Sequence, residues 1–165
     1  MNLSPLDTVE QIFSTCRRAL GSNTWGRVLA AMEENLTAES FPDRLEPLTA
    51  SMHLPGYVAD LARLEWMLHK TKEAADKPAR RIQTVIVNPT LSMVPVRWKH
   101  LAAFIRSKAT GTAPLYEPAY TMIWRHPQSR ELCYREAQDI DLLVLKLIVE
   151  QIDPREAARL GKVTP

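Results

Sequence analysis

The stretch Leu54–His69, LPGYVADLARLEWMLH, constrains this chain more than any other. Pro55 can open a helix, because the N–H it lacks has no intrahelical partner in the first turn. Tyr57, Leu61, Leu64 and Leu68 then recur at spacings of four, three and four. Val58, Ala62 and Trp66 widen that face, and Asp60, Arg63, Glu65 and Lys70 are expected to look outward. A helix with so wide an apolar stripe needs cover, so its neighbours must pack around it.

Before it, Ser4-Pro5 with Leu6, Val9, Ile12, Phe13, Cys16 and Leu20 predicts a first amphipathic helix, capped by Ser4 and stopped by Gly21. Trp25 to Leu36 predicts a second. Phe41 to Leu48 predicts a short helical or turn segment, broken by Pro42 and Pro47. Residues 1–75 thus form a small helical domain. The polar, proline-bearing run 76–81, DKPARR, is expected to be a linker.

The period then changes. Thr84–Val87 and Leu91–Val96 are β-rich, with Pro95 marking an edge strand or a strand end. Trp98–Lys108 predicts a helix, and Ala109–Pro118 a loop. Tyr120–Arg125 and Glu131–Arg135 predict a hairpin, in which alternation puts Tyr120, Met122 and Trp124 on one face. Ile140–Ile152 is a strongly apolar helix, and Asp153-Pro154 opens a short one over Arg155–Leu160. The class is therefore α+β: a helical domain over 1–75, then a winged-helix-like domain over 82–165 with a small antiparallel sheet.

Charge is uneven along the chain. Seven basic and ten acidic side chains fall in 1–75, seven and one in 76–108, and seven and eight in 109–165. The basic middle segment is either a solvated connector or a surface for an anion or an acidic peptide. Cys16 and Cys133, the two cysteines, lie in apolar patterns and suggest buried thiols in a reducing compartment. The N-terminus lacks a basic segment followed by an apolar core, so no signal peptide is visible and a cytoplasmic location is expected, without a membrane partner.

Motifs exclude more than they offer. His53, His69, His100 and His126 have no H-x-x-H or H-E-x-x-H spacing, and no C-x-x-C occurs. Glu65 and His69, four apart, could share a metal or a hydrogen bond. The five glycines form no phosphate-cradling loop, and no nucleophile elbow is present. The helices at 140–152 and 154–160 resemble the start of a helix-turn-helix, whose reading helix would come next. Trp66 and Trp98 suit a core or an interface, whereas Trp124 on the hairpin suits packing and recognition equally.

The wording LP-x-YVADLARLEW-x-LH resembles the close of the helical domain in a two-domain bacterial family. Its members were first described as DNA-binding proteins and later recognised as partners of multinuclear non-haem iron oxidases, of the methanobactin-biosynthesis type. The resemblance is strong from Phe41 to Leu68, weaker but continuous in order through the C-terminal half, and poor before Phe41. It implies a protein that is not an enzyme; the missing ligand spacings and glycine loops add the expectation of no cofactor. Such a protein holds a ribosomally made precursor peptide and presents it to a modifying oxidase. The alternatives are a DNA-binding transcriptional regulator, or the recognition domain of a longer radical peptide-modifying enzyme.

On the residues themselves, the hairpin is the expected peptide site. Tyr120, Met122 and Trp124 would face apolar peptide positions, and Arg125 and Arg135 acidic ones. The missing ligand spacings predict that purified protein carries no stoichiometric metal. Elemental analysis checks this, and metal lost on His69→Ala would contradict it.

Overall fold

The computed structural model describes residues 5–32, 36–75, 80–82, 85–153, 155, 156 and 159. Its architecture is α+β, with helices gathered around a three-stranded antiparallel sheet. The expected cap at Ser4, and residues 157, 158 and 160 of the helix expected over 155–160, lie outside the described residues. Asp153 does accept the Arg155 N–H at 2.8 Å, as an N-cap would.

The first predicted helix is bent into two. α1 (Pro5–Ile12) meets α2 (Ser14–Ala30) at Phe13, whose backbone leaves helical geometry while its ring drops fully into the core. Gly21 ends the first run as predicted, with a φ of +73° that glycine adopts without a Cβ clash. Helix then resumes at once towards Trp25. α3 (Phe41–Ser51) is longer than predicted and runs straight through Pro47. Pro47 is exposed and forfeits one N–H, while buried Phe41 and Leu45 hold the helix on either side of it. Phe41 stacks on Phe13 at 4.4 Å, and Trp25 leans on it at 5.4 Å.

α4 (Val58–Glu73) is the organising helix, and it corrects the outward placement of two of its acids. Asp60 is only 3% exposed and Glu65 only 5%. The helix is enclosed by α1, α2 and α3 on one side and by the sheet on the other, so a single apolar stripe underestimates its burial. At its entry, Gly56 is required by close approach. A Cβ there would lie 2.8 Å from Trp98 Cζ2.

β1 (Arg80–Ile82) pairs antiparallel with β2 (Val85–Val87), Arg80 opposite Val87 and Arg81 opposite Ile86. The predicted linker therefore ends inside a strand, and residues 76–79 are outside the described set. β3 (Ser92–Lys99) takes in Trp98, which was expected on a helix. α5 (Leu101–Arg106) begins only after His100 turns left-handed, with φ at 69°. β4 (Leu115–Arg125) starts earlier than the predicted loop allows, because Trp98 and Lys99 pair with Tyr116 and Leu115. β5 (Leu132–Glu136) completes the predicted hairpin. The sheet order β3-β4-β5 makes β4 the central strand.

One hydrophobic core runs through both expected domains, from Val9, Phe13 and Leu61 to Val94, Leu101 and Ile123. Tyr57 links the halves through edge contacts to Trp98 and Phe104. α6 (Asp139–Glu150) is capped by a Gln138–Asp141 box, and none of its residues is buried despite its apolar composition.

The halves are joined electrostatically by Asp60. Its carboxylate accepts the Arg97 backbone N–H at 2.7 Å and the Arg97 guanidinium at 2.9 Å, with Arg63 at 3.0 Å. Arg97 also bridges to Glu46 at 2.8 Å. The Arg97 guanidinium faces solvent, so the larger cost of losing Asp60 is the orphaned strand N–H and the unbalanced cations. Asp60→Ala is expected to destabilise the fold by about 2–4 kcal/mol in urea unfolding, against about 1–2 kcal/mol for Asp60→Asn. A change below about 0.5 kcal/mol for the alanine variant would show the contact to be incidental.

Candidate functional site

Four of the five predicted hairpin residues, Tyr120, Met122, Trp124 and Arg135, share one sheet face, and Arg125 falls on the other. Thr121 and Ile123 turn into the core, so Tyr120, Met122 and Trp124 share the opposite face of the sheet, as alternation requires. Tyr120 is exposed, and Met122 and Trp124 are half-buried. Met93 and Pro95 of β3 stand beside Met122 and Tyr120 across the strands. Arg125 is not with this group. Its guanidinium approaches the Ala75 carbonyl at 3.5 Å, while Asn88 and Thr90 hold its backbone. Arg135 is half-buried and forms a two-pronged pair with Asp141 at 2.6 and 2.7 Å, which raises the Arg135 pKa and lowers that of Asp141.

β4 is central, so its backbone is paired on both sides and the hairpin's open row lies on β5 alone. The Ala137 N–H donates to the Tyr120 carbonyl and the His126 N–H to the Glu131 carbonyl. That phase turns Cys133 and Arg135 towards β4 and presents the backbone groups of Leu132, Tyr134 and Glu136 outward. One outward acceptor is occupied. Arg106 Nη1 donates to the Tyr134 carbonyl at 2.9 Å, with its guanidinium 5.6 Å above the Tyr134 ring.

Beside this row a cleft of about 670 Å³ opens between α1, α2, α4, α5 and β5. Leu132 and Tyr134 form one wall, and Arg18, Lys72, Arg106 and Lys108 stand around it. Its buried acid is Glu65, whose carboxylate accepts the Thr15 N–H at 2.7 Å and the Cys16 N–H at 3.0 Å. These are unsatisfied donors at the start of α2, so Glu65 caps a helix from another element. Burial pushes its pKa up, and the hydrogen bonds from Thr15 and Cys16 pull against that. His69 stacks on Trp66 at 5.5 Å. Among the described residues, no three His, Cys, Asp or Glu side chains converge as metal ligands would.

Cys16 is fully buried, and burial, reinforced by the neighbouring Glu65 charge, drives its thiol pKa well up. Cys133 is less buried, which departs from the expectation of two buried thiols. It stands opposite Trp124, on the sheet face away from Thr121 and Ile123. No helix among the described residues is long and apolar enough to cross a membrane.

Local sequence pattern does not show the cleft, because its cations come from three separated segments of the chain. One signal pointed towards it: Arg106 and Lys108 belong to the basic middle segment. Compared with known proteins, the sequence matches no family model and no curated relative.

Because Glu65 binds its proton more tightly when folded, its contribution to stability falls as pH rises from the ordinary 4.5 through its raised folded value. Glu46 and Asp141, with lowered values, act in the opposite sense, losing their contribution as pH falls through those values. The difference in unfolding free energy between wild type and Glu65→Gln should therefore shift towards wild type on acidification from neutral pH. A pH-independent difference in urea titrations would show that the carboxylate is not held as a raised acid.

Proposed function

We propose that this chain is a non-catalytic peptide-binding partner protein, holding an extended segment along β5 of its sheet. The observation that carries the reading is the outward backbone row of Leu132, Tyr134 and Glu136. An extended peptide can pair with such a row as a further strand, taking main-chain hydrogen bonds that tolerate many sequences. Each bond adds about 0.5–1.5 kcal/mol net, so side-chain anchors must supply much of the affinity.

The outer sheet face offers those anchors. Trp124 lies opposite Cys133 and Met122 opposite Arg135, so both stand one strand in from the added segment. With α6 leaving no residue of its own buried, the half-buried state of Met122 and Trp124 keeps them accessible. Resemblance to the oxidase-partner family supplies the finer reading: the segment is a ribosomally made precursor peptide, and the second partner is an iron oxidase that modifies it. That role asks this chain to bind and orient and to supply no reacting group.

Trp124→Ala combined with Tyr120→Ala tests the reading without disturbing the buried Thr121 and Ile123. A candidate precursor peptide that binds the wild-type chain should bind the folded double variant about tenfold or more weakly in fluorescence anisotropy. Unchanged affinity, with unchanged melting temperature, would remove this face from the site.

A further inference from the structure

We infer that the cleft beside β5 is a binding site for acidic side chains of an extended peptide, with Arg18, Lys72, Arg106 and Lys108 as the recognising cations. The inference rests on the peptide-binding reading for its occupant, and on the cleft itself for the occupant's charge. The four cations come from α2, α4, α5 and the turn after α5, and they converge on one hollow. Other cations pair with carboxylates, Arg63 and Arg97 with Asp60 and Glu46, Arg17 with Glu10, Lys99 with Glu117 and Arg135 with Asp141, and some isolated surface cations do not; the cleft differs in gathering four on one hollow. Among the described residues, none of the four cleft cations has a carboxylate partner. Glu65 stands at the cleft but is spent on the Thr15 and Cys16 N–H groups. Glu73 is the other cleft acid, exposed at the end of α4. Four cations facing two carboxylates, one of them already committed, leave the hollow electropositive and short of acceptors.

The position relative to β5 turns an anion preference into a peptide preference. A strand added along Leu132 and Tyr134 projects alternate side chains to opposite faces of the sheet. One set joins Trp124 and Met122 on the outer face. The other set points to the core side, where the cleft lies against the same two β5 residues. The segment that fits both has apolar and acidic residues in alternation. A nucleic-acid backbone fits less well, because the β5 backbone groups beside the hollow match the N–H and C=O groups of an extended peptide, which a sugar-phosphate chain lacks.

Arg106 has a particular role here. Its Nη1 now fills the Tyr134 carbonyl, an acceptor that an incoming strand needs. A carboxylate entering the cleft gives Arg106 a stronger, charge-assisted partner and frees that carbonyl for the peptide N–H. Recognition of acid and opening of the strand edge are thus one event.

The test uses two labelled octapeptides, one alternating Glu and Val and the other Lys and Val, titrated against the full chain at physiological salt. The Glu peptide should bind and the Lys peptide should not. Arg18→Glu with Lys72→Glu, both exposed substitutions, should weaken the Glu peptide about tenfold or more and let the Lys peptide bind. Arg106→Ala should weaken the Glu peptide while leaving a neutral Thr–Val peptide unchanged or tighter. Equal binding of the Glu and Lys peptides, or a double variant with unreversed preference, overturns the acidic site and leaves the peptide reading standing. Failure of all three peptides, including the neutral one, overturns both. Displacement of the Glu peptide by inorganic phosphate or duplex DNA at lower concentration than by unlabelled Glu peptide overturns the assignment in favour of those anions.

Discussion

The fold depends on two carboxylates on a helix that is enclosed from both sides. α4 could not sit between the other helices and the sheet with apolar side chains alone, because its neighbours bring backbone N–H groups that need acceptors. Asp60 receives one from Arg97 in β3, and Glu65 receives two from Thr15 and Cys16 at the start of α2. Buried carboxylates are costly, and the cost is offset when each oxygen meets a donor fixed by secondary structure. Five residues apart, the two acids point away from each other, one to each half of the molecule. The helix thereby sets the distance and rotation between the helical layer and the sheet.

That arrangement also decides which strand edge remains open. In β3 the outward row includes Pro95, which has no N–H, and Arg97, whose N–H is on Asp60. β4 is paired on both sides. Within the three-stranded sheet, β5 is the edge strand whose outward row has neither a proline nor an N–H held by a buried acid, and that row borders the cleft that Glu65 lines. The residues that secure the core therefore also leave the β5 edge beside an electropositive hollow. Binding there would use a surface held by rigid elements, which limits the ordering cost to the incoming segment.

Much of this was readable from local pattern. The run Leu54–His69 announced its helix, Gly21 its stop, and the alternation over Tyr120–Arg125 its two faces. Pro95 was rightly confined to an edge strand. Long-range contacts were not readable. Asp60 and Glu65 look like solvent-facing acids until β3 and α2 supply donors that lie 37 and about 50 residues away in the chain. Trp98 has helical neighbours in sequence, yet extends β3 because it packs on Gly56 and Tyr57. β4 became central only through its pairing with β3, which hairpin pattern alone does not report. Arg125 and Arg135 were chosen for charge and proximity, and the structure commits them to Ala75 and Asp141. The basic excess over 76–108 hinted at an anion surface, but Arg18 and Lys72 join it only through the packing of α2 against α4.

The central claim is that α4 makes the helical layer and the sheet one cooperative unit through Asp60 and Glu65. Native-state hydrogen exchange of the Thr15, Cys16 and Arg97 amides tests it directly, since those three protons are the ones the carboxylates accept. All three should exchange only through global unfolding, with opening free energies equal to one another and to that from urea titration. If Thr15 and Cys16 open at markedly lower free energy than Arg97, or the reverse, the two halves unfold independently and the claim is contradicted.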